Sequence, residues 1–111
     1  MIEKTNNYST TDSKNIEKLI DDEPLLINHM VLPKGEGIPE HYSNSNVYMI
    51  IVRGTLTLKL DDQPSANYIG GQIISIPYNT KMNIMNNHDG TLEFFVAKAP
   101  NPSKYEVYHH A

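Results

Sequence analysis

The 111-residue chain contains no cysteine. Disulfides, thiolate chemistry and cysteine-based zinc sites are thereby excluded. The absence fits a reducing compartment, and the cytoplasm is the expected location. No apolar run approaches membrane-spanning length, so no membrane partner is expected. Residues 1–19, MIEKTNNYSTTDSKNIEKL, carry no apolar stretch behind their charges and do not read as a secretory signal. Positive charge is scarce. The formal net charge is −4, and phosphate binding needs a basic face, so nucleic acid is not an expected partner. Lys98 and Lys104 lie near each other in sequence and leave room for a local basic patch. There is no internal repeat and no sign of a second domain.

What is present is an ordinary soluble composition, 39% hydrophobic and 20% charged, in a length suited to one domain. Residues 1–12 read as a polar arm. Ser13 is placed to cap a short helix over Lys14 to Asp21, with Ile16, Leu19 and Ile20 at helical spacing and Pro24 ending it. From there the period becomes strand-like. Strands are predicted over 25–32, 38–43, 47–52, 55–60, 65–69, 72–76, 81–85 and 91–99, separated by Gly, Pro, Asn and Asp turns. Leu56, Leu58 and Leu60 alternate with Thr55, Thr57 and Lys59, which fixes one buried face. Residues 105–108 are expected to pair with an edge. The organisation is an arm and short helix over 1–24, a barrel over 25–99 and a tail over 100–111. Many short strands and one short helix point to an all-β sandwich or barrel.

Two spaced motifs sharpen this. Gly35, His41 and Gly54 stand in the register G-x5-H-x-H-x3-E-x6-G. Gly71, Pro77 and Asn86 stand in the register G-x5-P-x-G-x2-H-x3-N. The chain therefore resembles the small single-domain cupins over residues 25–99. The resemblance implies a cupin-like double-stranded β-helix, a jelly-roll barrel. It also implies a metal held by two His and a carboxylate of the first motif and one His of the second. Position by position these are His41, Ser43, Val47 and Met82. Asn79 replaces the second motif's internal glycine and is expected to take its left-handed turn.

The exchange alters the chemistry. Valine offers no donor, a serine hydroxyl is a weak ligand, and a thioether suits soft copper(I). One imidazole does not hold iron or manganese against water, so no metal and no cofactor are expected. The expected site is instead a ligand pocket of His41, Ser43, Val47, Met49 and Met82. Met49 shares a strand face with Val47, and Tyr48 takes the other. His41 reads either as an orienting donor or base, or as a remnant bonded to a neighbour such as Ser43. His29 sits mid-strand and either joins the cavity or is an exposed or interface residue. Glu36 and Glu40 flank the motif without replacing the lost carboxylate. Three roles follow from the resemblance: a metal-free binder of a small organic molecule; an isomerase, lyase or oxygenase using His41 with an atypical metal or none; or a filled structural barrel. A homodimer is expected, because apolar residues on both faces of 49–52 and 94–96 leave one face to be covered.

Overall fold

A computed structural model of the chain describes residues 2–103. Nine strands follow one another: β1 Asn15–Asp22, β2 Leu25–Leu32, β3 Gly37–Tyr42, β4 Asn46–Arg53, β5 Thr55–Leu60, β6 Ala66–Ile69, β7 Ile73–Ile76, β8 Lys81–Met85 and β9 Leu92–Ala99. They form two antiparallel sheets, ordered β1-β2-β9-β4-β7 and β3-β8-β5-β6. The eight strands expected from 25 to 99 all form, and β2, β5 and β8 keep the predicted limits. Positions 105–108 and the histidines His109 and His110 lie outside the described residues.

The predicted helix is not there. Residues 15–22 are a strand that pairs with β2 at the sheet edge. Its register runs from Asn15↔Val31 to Lys18↔Asn28 and then jumps to Ile20↔Ile27. Leu19 is the extra residue of a β-bulge. The bulge resets the side-chain alternation, so Ile16 and the Leu19–Ile20 pair acquire a spacing that a helix would also give. The free edge of β2 supplies a ladder of hydrogen bonds that eight residues of isolated helix cannot match.

The core lies between the sheets. Leu32, Val47, Met49, Ile51, Leu56, Leu58, Met82, Ile84, Leu92, Phe94 and Val96 are buried there. Leu56 and Leu58 are inward, as the alternation of 55–60 requires.

The motif landmarks earn their places in the backbone. Gly35, Gly54 and Gly71 have φ of +85°, +83° and +96°. At Gly54 a Cβ would also run into the Thr91 carbonyl oxygen and come within 2.8 Å of Leu92 Cα, so no other residue fits. Asn79, at φ +64°, does take the left-handed turn. Asn86 is fully buried and joins the ends of both motifs. Its Nδ2 donates to the Leu32 and Gly90 carbonyls, both at 2.8 Å. Its Oδ1 accepts from His88 N at 3.0 Å. Its backbone N–H donates to Glu36 and its carbonyl accepts from Gly35.

Candidate functional site

Strand alternation places one side chain in two from β2, β4 and β9 between the sheets. These meet β3 and β8 around a cavity of about 220 Å³. His41, Val47, Met49 and Met82 all line it, so four of the five expected pocket residues come together. His41 and Met82 are register partners across β3 and β8. Met30, Ile38, Ile84 and Val96 complete the apolar wall, and Ile16 of β1 stands at it half exposed.

Ser43 is the exception. It is 2% exposed and does not line the cavity. Its hydroxyl donates to the Pro77 carbonyl at 2.7 Å and accepts from Thr80 N at 2.8 Å. Its backbone N–H and carbonyl bond Thr80 and Asn79. Every polar atom of Ser43 therefore holds the 77–80 corner, and the place of a ligand histidine is taken by a turn clamp. His41 does not bond Ser43 either. Its Nδ1 lies 2.8 Å from the Pro39 carbonyl, which can only accept, so Nδ1 carries the proton. In that tautomer Nε2 carries the lone pair and accepts.

Lys98 was not expected here. It pairs with Val47 across β4 and β9, follows Phe94 and Val96 at two-residue spacing, and lines the same cavity. Burial pulls its amine below the ordinary lysine range. No hydrogen bond or ion pair joins its side chain to another described residue. The parity of 94, 96 and 98 was legible in the sequence, but a lysine near a strand end reads by type as surface.

The residues present do not fit the metal that the fold family implies. Val47 and Met82 present no hard donor, and Ser43 is turned to the corner. Among the described residues, no three His, Cys, Asp or Glu side chains are grouped to hold an ion. Glu40 is exposed, and Glu36 pairs with Lys14 at 3.1 Å.

His29 neither joins the cavity nor lies at the surface. It is fully buried on the opposite face of the five-stranded sheet, beneath the N-terminal arm. Nδ1 lies 2.9 Å from Glu17 Oε1 and Nε2 2.7 Å from Glu93 Oε2. Carboxylates only accept, so both contacts are hydrogen bonds when both ring nitrogens carry protons. Arg53 Nε donates to Glu93 Oε1 at 2.7 Å, and Arg53 Nη2 reaches Asp12 Oδ1 at 2.8 Å. Ser9 N donates to Glu17 at 2.7 Å, and the Tyr8 ring lies tilted 4.8 Å from His29 and edge-to-face 5.0 Å from Phe95. Burial raises the Glu93 carboxyl, but its bonds to Arg53 and His29 outweigh this and hold it below the usual range. Glu17 is lowered chiefly by the Ser9 amide. Beside this network, Tyr8, Leu19, Ile20, Ile27, Ile50 and Phe95 border an open apolar depression of about 410 Å³.

Two stacked antiparallel sheets, left-handed corners at the motif positions and a cavity between the sheets define a double-stranded β-helix, and this chain belongs to the RmlC-like cupin family. It is similar to the uncharacterized protein MJ0764 of Methanocaldococcus jannaschii, with 50% identity over 105 residues, 94% of this chain and 90% of that protein. The crystal structure of MJ0764 as an RmlC-like cupin superposes with a TM-score of 0.92 at 48% identity, covering 96% of this chain and 98% of that one. More distant structures share the fold alone. A cupin superfamily protein of Desulfitobacterium hafniense gives 0.71 at 14% identity, covering 84% and 83%. The Schizosaccharomyces pombe Cnp3 cupin domain gives 0.75 at 14%, covering 93% and 80%. No protein-family model matches the chain.

Proposed function

We propose that this cupin binds a small organic molecule in its barrel and does no chemistry on it. One observation carries the reading: a cavity of about 220 Å³ walled by Val47, Met49, Met82 and other apolar side chains, with His41 and Lys98 as its polar groups. Pockets with an apolar body and a few fixed polar groups are the usual form of small-molecule sites. The volume lies below the roughly 300–1,000 Å³ of pockets for drug-sized ligands, so the ligand is small. It also weighs against a filled structural barrel.

The test begins with metal content. The protein is purified without chelator or affinity tag, and Mn, Fe, Ni, Cu and Zn are quantified beside His41→Ala. Metal is expected to be far below stoichiometric in both. Near-stoichiometric metal that vanishes in the variant would move the protein to the enzyme class. A thermal-shift screen of small metabolites follows, with stabilisation by at least one compound expected.

A C2 homodimer is proposed with this reading. Tyr48, Ile50, Val52 and Ile73 are exposed on the outer side of β4 and β7, and Ile50 and Ile73 are direct register partners. A second copy would cover this apolar band. Light scattering at micromolar concentration is expected to give twice the 12.6 kDa chain mass, and a monodisperse monomer would refute it.

A further inference from the structure

We propose that the barrel ligand is a small monocarboxylate, its carboxylate paired with Lys98 and its apolar body packed among Met30, Val47, Met49 and Met82. The proposal rests on the barrel-binding reading above and names the class of molecule that it admits.

The argument starts from charge. Lys98 and His41 are the titratable groups among the described residues lining the cavity, and no Asp or Glu lines it. Lys98 is half-buried, and a cation drawn partly into an apolar cavity without a counter-charge is unfavourable and is relieved by pairing or by neutralisation. The other face of the same sheet answers this demand from within the chain, since Arg53 and His29 are both met by Glu93. Lys98 has no such partner among the described residues. A ligand carboxylate would supply the missing charge through a charge-assisted hydrogen bond. The lowered lysine range fits a site whose anion is brought by the ligand.

The same lining limits the ligand to one charge. Beyond Lys98 and His41 the wall is methionine, isoleucine and valine, so a second carboxylate would be desolvated without a partner. His41 gives the carboxylate no donor while Pro39 holds its Nδ1 proton, so the Lys98 amine alone answers the charge. The size limit is equally plain. About 220 Å³ is the liquid volume of roughly seven waters, at about 30 Å³ each, which suits a single ring or a short aliphatic chain.

The experiment uses the full chain with its methionine methyl groups labelled with ¹³C. Benzoate, hexanoate and their neutral amides, benzamide and hexanamide, are titrated at pH 7 and followed by methyl NMR. Met30, Met49 and Met82 line the barrel, whereas no methionine borders the outer depression, so the shifts report where a compound binds. An acid is expected to bind saturably, at least about tenfold tighter than its amide, with shifts at those methyls. In Lys98→Met the acid is expected to lose that advantage while the amide binds as before, which also shows that the variant is folded. Equal binding of acid and amide to the native chain overturns the charge inference and leaves the barrel reading standing. Unchanged acid affinity in Lys98→Met does the same. No shift at the barrel methyls with any of the four compounds overturns this proposal, and a negative metabolite screen beside it overturns the barrel reading as well.

Discussion

The two faces of the five-stranded sheet treat their charged groups in opposite ways. On the outer face, His29 is enclosed completely, yet Glu17, Glu93, Arg53 and Asp12 form a continuous chain of opposite charges around it. On the inner face, Lys98 reaches into an apolar cavity with no described partner. β9 serves both faces, with Glu93 outward and Lys98 inward, five positions apart. A buried charge that is structural finds its partner within the chain, because leaving it alone costs stability. The unanswered one is the observation on which the proposed carboxylate site rests.

The largest expected effect comes from making the outer face resemble the inner one. Glu93→Ala strips His29 and Arg53 of their shared carboxylate and should cost about 3–5 kcal/mol in urea denaturation. Lys98→Met should cost less than about 1 kcal/mol or be stabilising, because it removes an unpaired charge rather than a partner. Equal losses in the two variants would break the comparison.

Ser43→Ala should come next. It leaves the buried Thr80 N–H without its partner, while the Pro77 carbonyl keeps the Thr80 hydroxyl, and should cost about 1–3 kcal/mol. It should leave the affinity of any barrel ligand unchanged, since Ser43 does not line the cavity. A loss of ligand affinity with no loss of stability would return Ser43 to the site.

The smallest effect is on pH dependence, and the two faces should act in opposite windows. The Glu17 and Glu93 carboxyls are held below the usual 4.5, so their stabilisation is complete above that value. It is lost as pH falls through their lowered folded values. Lys98 is held below the usual 10.5. The folded state therefore binds fewer protons than the unfolded chain between the lowered value and 10.5, and stability rises with pH across that interval. Denaturant midpoints from pH 3 to 10 should show both slopes. Glu93→Gln should flatten the acid slope, and Lys98→Met should remove the lysine's share of the alkaline one.

Much of the barrel was legible because its signals are local. Alternation in 55–60, the apolar run of 47–52 and the turn residues between strands each depend on a few neighbours. The motif spacing then carried His41, Val47 and Met82 into one cavity, and the parity of 47 and 49 added Met49. What failed to read locally was set by distant partners. The bulge at Leu19 exists because β2 presents an edge, and nothing in residues 14–21 announces that edge. Ser43 looked available until its hydroxyl met a corner 34 residues away. His29 was ambiguous because its partners stand 12 and 64 positions along the chain. Lys98 was not placed at the pocket, although its position in the strand already aimed it inward.

Asn79 has a consequence in the denatured chain. Glycine would reach the same left-handed corner without strain, but it would also give the unfolded ensemble a wider range of conformations to lose. Asparagine tolerates that corner better than most residues with a side chain, and it narrows the ensemble before folding starts. Its amide is then tied to the Ser43 carbonyl at 2.9 Å. The turn is thus favoured from both ends of the folding equilibrium, by fewer states to abandon and by a clamp to arrive at.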